Sequence, residues 1–337
     1  MRAAILNNGT FSVETLPDPE PEPNSVVLSV SACGLCGIDH SLYRGGQLPE
    51  GAILGHECAG TVVATGARVQ EWKIGDRAAV IPIPYCGQCE LCRGGQENLC
   101  AYGLQSTMGC GGTAGGLAEL VAVPESCLRR LPEGLDPILG ALVEPLAVAW
   151  RAVDLGQVTA GARVGILGLG PLGLFAGLIA RQRGALVFGT DPKPHRVAWA
   201  HAMGLGAFQV DDDADDHIRE LTRGGPEVVF EATGVTQSIQ KAAQLARMGG
   251  RVILLASYHS PVEMTPGQWV NRGISLMPSI AYTRADFEGA LEAISTRRFD
   301  LQTLVGEARP LSEVQNVFDS FQTQTETAKL VIDPSRP

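Results

Sequence analysis

Short runs of β-branched and aliphatic residues, cut by Gly and Pro, fill the first 130 positions of the chain. Residues 26–30 (Val-Val-Leu-Ser-Val), 60–64 (Gly-Thr-Val-Val-Ala) and 77–81 (Arg-Ala-Ala-Val-Ile) are of strand length and predict a mostly antiparallel, barrel-like domain. From about Pro145 the texture changes. Apolar strands now alternate with amphipathic segments of helix length, the pattern of a parallel sheet covered by helices on both faces. One strand leads into Gly168, and others are expected at 185–190, 227–230, 251–255 and 274–277, five of the strands of an expected six-stranded doubly wound sheet. Helices at 284–297 and 311–321 and a closing strand at 328–332 return the chain to the first domain. The expected architecture is therefore α/β, with one domain over 1–145 plus 284–337 and a second over 146–283. The proline-rich stretch at 17–23 reads as an extended surface arm.

Composition narrows the class. The 337 residues are 45% hydrophobic and 18% charged, with a net charge of −10, and no Lys/Arg cluster interrupts the acidic balance. Nucleic acid and anionic membrane surfaces are poor partners for such a chain, and a small-molecule substrate is expected. The amino terminus turns polar at Asn7-Asn8-Gly9, too early for a signal peptide, and no apolar run reaches spanning length, so a cytoplasmic location is expected. All nine cysteines lie between Cys33 and Cys127, which confines thiol chemistry to the first domain.

Four of those thiols, Cys86, Cys89, Cys92 and Cys100, follow a C-x2-C-x2-C-x7-C spacing that lets one short loop wrap a tetrahedral ion. Thiols two residues apart form disulfides only with strain, so zinc is the expected occupant. A closed shell of four thiolates leaves no position for a substrate. This site is structural, and the chemistry lies elsewhere.

The second domain carries Gly168-Leu169-Gly170-Pro171-Leu172-Gly173, a G-x-G-x-x-G run with an apolar strand before it and a helix over 171–183 after it. Gly168 permits the tight turn, Gly170 the approach of a pyrophosphate, and Gly173 close helix–strand packing, with the helix N-terminus facing the phosphates. Asp191, 18 residues beyond Gly173, stands where a carboxylate accepts hydrogen bonds from an adenosine ribose. An aspartate there repels a 2′-phosphate, which favours NAD over NADP, while Lys193 and Arg196 nearby soften that preference. Loops after the later strands, including Thr233, Gly234, Ala256, Ser279 and Ala281, are expected to line the same crevice.

In order and spacing, Cys33-Gly34-Leu35-Cys36-Gly37-Ile38-Asp39, Gly55-His56-Glu57, the four-cysteine loop, Glu144-Pro145-Leu146 and the glycine turn resemble the zinc-dependent medium-chain alcohol dehydrogenases over the full length. Glu144 and residues 279–287 are similar to the branch of sorbitol, threonine and 2,3-butanediol dehydrogenases. The resemblance implies a GroES-like catalytic domain, a Rossmann domain, one catalytic and one structural zinc, and association as a homodimer or homotetramer through the sheet edge near 274–277. It also implies a catalytic zinc held by Cys36, His56 and Glu144, with Glu57 able to approach or replace a ligand. Three protein ligands leave a fourth position for substrate. Glu57 directly follows His56, and strand neighbours point to opposite faces, so Glu144 ranks above it as third ligand. Asp39 is expected to orient a ligand or a nearby arginine.

Ile38 departs from the family pattern. A Ser or Thr there passes the alcohol proton toward the cofactor ribose, and a histidine five residues after the cysteine receives it; here those positions hold Ile38 and Ser41, with His40 displaced by one. Ser41 or His40, or ordered water, is then expected to replace the relay. The expected reaction moves a hydride between a secondary alcohol, diol or polyol and NAD. A zinc-dependent reductase of a conjugated or activated carbonyl is the alternative that Ile38 favours, and a non-catalytic NAD-binding zinc protein is a third. Ile38, Leu42, Tyr43, Leu48, Trp269 and Tyr282 are candidate pocket walls.

Overall fold

The computed structural model describes residues 1–46, 48–110, 113–211 and 213–336. The chain divides into two compact units, Met1–Pro145 with Thr283–Pro337, and Leu146–Tyr282.

The first unit opens with an antiparallel pair, β1 (Arg2–Asn7) and β2 (Thr10–Thr15). Its main sheet follows with β3 (Ser25–Gly34), β4 (Glu57–Thr65), β5 (Arg77–Val80), β6 (Leu120–Pro124) and β7 (Leu128–Arg130). β3 is the hub. It pairs antiparallel with β4 over almost its whole length and with β6 over its first half, and nearly every residue in it is buried. A strand paired on both sides and covered on both faces has no polar side to show, which is why Val26, Val27, Leu28 and Val30 read as a continuous apolar run. Leu28, Val30, Leu54, Val62, Leu117 and Phe318 belong to the core beneath it.

The second unit holds β8 (Arg163–Leu167), β9 (Leu186–Asp191), β10 (Gly206–Gln209), β11 (Val228–Glu231), β12 (Arg251–Leu254) and β13 (Ser275–Pro278). All pair parallel in the order β10-β9-β8-β11-β12-β13, which puts the reversal of strand order between β8 and β11. Ligands of such sheets bind beyond the carboxyl ends of the strands at that reversal. β13 is an edge strand with Ser275, Leu276 and Pro278 exposed. The sixth strand, β10, carries no apolar run long enough to announce it in the sequence.

The chain then re-enters the first unit through the helix Arg284–Ser295, β14 (Arg309–Pro310), the helix Val314–Ser320 and β15 (Val331–Asp333), and β15 pairs antiparallel with the end of β3. The expected helix over 311–321 divides into a 3-10 turn, Leu311–Glu313, and the α-helix proper. No helix among the described residues is long and apolar enough to cross a membrane.

Two carboxylates give the fold an acid limit. Burial pushes Glu119 up, but the Arg2 N–H at 2.6 Å and guanidinium at 2.7 Å more than reverse it; burial likewise opposes, and Arg163 at 2.8 Å outweighs, at Glu227. Both carboxyls therefore sit below the usual glutamate range. Their contribution is complete above the unfolded value of about 4.3 and is lost as pH falls through the folded values. Thermal melts between pH 6 and pH 3 are expected to show a falling midpoint, and a Glu119→Gln, Glu227→Gln double variant a shallower fall. An equal slope in both proteins would contradict this.

Candidate active site and metal centres

A strand ends and a helix begins at Cys36. β3 stops at Gly34, and Cys36 takes an extended backbone as N-cap of the helix Gly37–Gly45. Asp39, in the first turn of that helix, is fully buried. Its Oδ2 accepts the Cys36 N–H at 2.9 Å, and its Oδ1 lies 3.1 Å from His56 Nδ1. One carboxylate thus fixes both the thiol-bearing turn and the imidazole, leaving Nε2 as the ring nitrogen free for a metal.

Strand alternation predicts that His56 and Glu57 turn to opposite faces. The structure brings them together: Cys36, His56 and Glu57 each offer a donor atom within 4.8 Å of the others. The reason is local. β4 begins only at Glu57, and Gly55, with φ of +98°, precedes His56, so the histidine leaves from just before the strand rather than from within it. A Cβ on Gly55 would also lie 2.5 Å from Cys33 Sγ, so conformation and space both demand glycine.

Glu57 is fully buried. Its Oε1 accepts from the buried Lys329 ammonium at 2.5 Å, and its Oε2 has no hydrogen-bond partner. Glu144, buried in the first turn of the helix Val143–Leu155, lies outside the three-donor group, yet its charge reaches Lys329 and Cys58. Burial works against the Lys329 ammonium, but the charges of Glu57, Cys36 and Glu144 hold it above the usual lysine range. Burial raises the Cys36 thiol, with His56 opposing. It pushes Cys58 up to about 12, marking that thiol as a packing residue. A thiol, an imidazole and a carboxylate with an unpartnered buried oxygen form a donor set suited to zinc.

Sequence reasoning missed two neighbours of this centre. Lys329 had a faint signal, a lone lysine inside an apolar closing strand. Cys110, whose Sγ lies 3.8 Å from His56 Nδ1, had none beyond being a cysteine outside every motif.

Replacing Asp39 by Asn keeps the size of the side chain and removes the charge that faces His56. Partners of this kind are worth roughly 10–100-fold in metal affinity. Zinc transfer from this centre to a chromogenic chelator is expected to accelerate by that factor, and an unchanged rate would show that Asp39 serves only the helix turn.

In the four-cysteine loop the sulfurs of Cys86, Cys89, Cys92 and Cys100 all lie within 4.8 Å of one another, with Cys86 and Cys92 3.8 Å apart and no disulfide among them. An edge of about 3.8 Å is that of a tetrahedron with 2.3 Å arms, the geometry of zinc in four thiolates. Backbone N–H groups already point at three sulfurs: Cys89 at Cys86, Cys92 at Cys89, and Gly103 at Cys100, each at 3.4 Å. The N–H groups of Gln88 and Cys89 bring the Cys86 thiol down to about 6, and those of Cys86 and Gly103 lower Cys100, while burial pushes Cys92 up to about 12.

In the second unit, Gly168 has φ of +91°, and Gly170 is the N-cap of the helix Pro171–Gln182, with Pro171 and Leu172 opening its first turn. A Cβ on Gly173 would sit 2.0 Å from the Gly168 carbonyl oxygen, so the helix reaches the turn only because that atom is missing. Asp191, at the end of β9, is buried and engaged: Oδ2 accepts from Leu169 N at 2.9 Å and Arg196 Nη1 at 3.2 Å, and Oδ1 from Lys193 N at 2.9 Å. It clasps the glycine turn to the segment after β9. Beyond β11 and β12, the buried Glu231 carboxylate gathers Thr233, Ser238 and Tyr258, which fixes the loop carrying Thr233 and Gly234; Gly234 in turn faces the Ser257 carbonyl in the segment that starts at Ala256. Ser279 Oγ is covered yet has no hydrogen-bond partner, and Ala281 has φ of +48°. An unpartnered hydroxyl beyond the sheet's carboxyl end, together with the open turn at Gly170, suits a dinucleotide.

The relay candidates lie on the helix that Cys36 caps, and the His40 N–H donates to the Cys36 carbonyl at 3.3 Å. His40 stacks on Phe321 at 5.0 Å between centroids, and Ser41 is half-buried on the same helix. Tyr43 packs on Phe11 and Phe318 and Leu48 on the first unit's core, while Trp269 is buried in the second unit's core with its indole N–H on Gln240; Tyr282 is fully buried. Trp269 and Tyr282, candidate pocket walls in the sequence, are thus buried among the core residues.

Comparison with known proteins decides the family. A model of the alcohol dehydrogenase GroES-like domain matches residues 22–133 and one of the zinc-binding dehydrogenases matches 171–296. The 2-dehydro-3-deoxy-L-galactonate 5-dehydrogenase of Pseudoalteromonas atlantica is 30% identical over 98% of both chains, and the (R,R)-butanediol dehydrogenase of Bacillus subtilis is 31% identical over 99% of this chain and 100% of its own. The chain belongs to the zinc-type alcohol dehydrogenase family. Among solved structures, a protein from Sinorhizobium meliloti described as a zinc-binding dehydrogenase and bound to NADP superposes with a TM-score of 0.90 at 31% identity, covering 99% of both chains. Within this dehydrogenase, Cys36, His56, Glu57 and the four-cysteine loop fall inside the first matched segment, and Gly173, Asp191 and Arg196 inside the second.

Proposed function

We propose that this dehydrogenase transfers a hydride between a secondary alcohol, diol or polyol and NAD, giving the ketone or aldehyde. The convergence of Cys36, His56 and Glu57 donor atoms within 4.8 Å, with Asp39 on the second ring nitrogen, is the observation that carries this reading. Cys36 and His56 would hold the catalytic zinc, with the unpartnered Oε2 of Glu57 inside the donor group and Glu144, the carboxylate the sequence ranks first, outside it. When bound, zinc supplies a Lewis acid that makes an alcohol proton easier to lose near neutral pH, and the nicotinamide supplies the hydride acceptor. The chain does the rest. Asp39 holds the imidazole in one tautomer, the buried surroundings of Glu57 and Lys329 exclude water, and the glycine turn of the second unit carries the cofactor.

Ile38 carries no proton, so the alcohol proton leaves by His40, Ser41 or water. The carboxylate of Asp191 supports NAD, and Arg196 beside it keeps NADP usable, as the NADP bound by the Sinorhizobium meliloti relative illustrates for that protein. The exposed apolar edge at β13 supports a homodimer or homotetramer, and the acidic composition a cytoplasmic setting.

Initial rates at 340 nm test the proposal, using zinc-replete protein with alcohols, diols and polyols and either cofactor, and the matching carbonyls and enones with the reduced cofactors. Oxidation with NAD⁺, favoured over NADP⁺ by about tenfold or more, is expected. Reduction of enones without any alcohol oxidation would replace the proposal by the reductase that Ile38 favours.

A further inference from the structure

One residue grips the four-cysteine loop at both flanks. Arg284 opens the helix Arg284–Ser295: its backbone N–H donates to Glu97 Oε1 at 2.7 Å, its guanidinium lies 3.8 Å from the same oxygen, and that guanidinium stands over the Tyr85 ring at 5.0 Å. Tyr85 directly precedes Cys86, and the Glu97 carbonyl accepts the Cys100 N–H at 2.9 Å. Both contacts therefore bear on residues beside metal-binding cysteines. The Glu97 side chain is only 15% exposed, which makes its carboxylate a fixed anchor rather than a loose surface charge.

The chain reaches Arg284 just after leaving the second unit, which ends at Tyr282. Residues 279–283 are fastened at both ends. The Ser279 N–H donates to Leu254 O at 2.9 Å, where β12 ends, and the Thr283 N–H and hydroxyl each donate to Asp286 Oδ2 at 2.7 Å, next to the Arg284 anchor. Between them Ala281 has φ of +48°, a left-handed conformation that a residue with a Cβ keeps only where its surroundings impose it. Ser279, whose covered hydroxyl lacks a partner, is the residue of this segment suited to the dinucleotide. We propose that Glu97 is a positioning residue for the cofactor: by tying the four-cysteine loop to Arg284, it makes the metal-filled loop the anchor that holds Ser279 and Ala281 in place for the dinucleotide. Ion and cofactor are then coupled, and the coupling is reciprocal. The factor by which the ion tightens cofactor binding is the factor by which the cofactor tightens the ion. The inference rests on the reading of the loop as a zinc site and of the second unit as the cofactor carrier.

The zinc affinity of the loop tests the coupling, measured by competition with a chelator in the Cys36→Ser variant so that the loop holds the remaining ion. Saturating NADH is expected to raise that affinity at least about fivefold. Adding Glu97→Ala should abolish the effect and weaken NADH binding by a similar factor in a fluorescence titration, whereas Glu97→Gln, whose amide oxygen still accepts the Arg284 N–H, should keep both. If the alanine variant does not fold, Arg284→Pro removes the same N–H. Proline is favoured at the first helical position, and the extended backbone of Thr283, with φ of −86° and ψ of 166°, suits the residue before a proline. This variant should behave as Glu97→Ala does. Zinc affinity indifferent to NADH in a protein that binds NADH, or coupling that survives Glu97→Ala or Arg284→Pro, would overturn the proposal while both readings stand. A loop without zinc, or zinc-replete protein that binds no NADH, would overturn the reading concerned and the proposal with it.

Discussion

Replacing Cys36 by Ser is expected to lower turnover by about a thousandfold or more, and to reduce the zinc content from two ions per chain to one. Lewis-acid stabilisation is worth several kcal/mol, and each 1.36 kcal/mol is a factor of ten. Serine preserves what Cys36 does for the fold, because the hydrogen bond to Asp39 Oδ2 comes from the backbone N–H. The four-cysteine loop shares no ligand with this centre and should keep its ion. Cofactor binding should survive as well, since the glycine turn belongs to the other compact unit. Metal analysis and NADH fluorescence titration, run beside the rate assay, separate these effects. Full turnover with two zinc ions retained would refute the assignment of Cys36.

The second large effect divides two glycines of one motif. Gly173→Ala places a Cβ 2.0 Å from the Gly168 carbonyl and 3.2 Å from Ile166, both in the framework of the β8 turn, so the helix or the turn must move. Overpacking of this kind costs about 1–3 kcal/mol, and both thermal midpoint and cofactor affinity should fall. Gly170→Ala meets only the Arg196 guanidinium, at 3.7 Å, and its φ of −72° suits any residue. The fold should tolerate it within about 0.5 kcal/mol, while a methyl in the path of the pyrophosphate weakens cofactor binding by roughly tenfold to a hundredfold. Calorimetry and NADH titration of both variants check the split. Equal loss of stability in the two would show that Gly170 is a packing glycine rather than a binding one.

What the sequence disclosed follows from where periodicity and local chemistry are strong. β8, the glycine turn, the helix Pro171–Gln182 and β9 are legible because an apolar run, three glycines and a terminal aspartate each dictate one local conformation. The four cysteines are legible because their ligands share one short loop. β10 escaped because Gly206-Ala207-Phe208-Gln209 has too few apolar residues to form a pattern, and it is ordered by pairing with β9. Alternation failed at His56 and Glu57 because it applies only inside a strand, and Gly55 places the histidine just outside. Lys329 lies 272 residues from Glu57, and no local rule links them; only the return of the closing segment to β3 does so. Asp191 was legible as a carboxylate at the end of β9, but its engagement with Leu169, Lys193 and Arg196 depends on the turn folding back over it.

Transfer of a label decides most directly whether the centre and the glycine turn serve one reaction. The alcohol or diol with the highest rate in the panel, deuterated at its carbinol carbon, is incubated with the zinc-replete protein and NAD⁺, and the NADH is examined by proton NMR and mass spectrometry. The account predicts one deuterium per NADH, at C4 of the nicotinamide, with the label absent when Cys36→Ser replaces the parent protein. NADH without deuterium, or no reduction of NAD⁺ by any alcohol, diol or polyol in the panel, would contradict hydride transfer from a carbinol carbon.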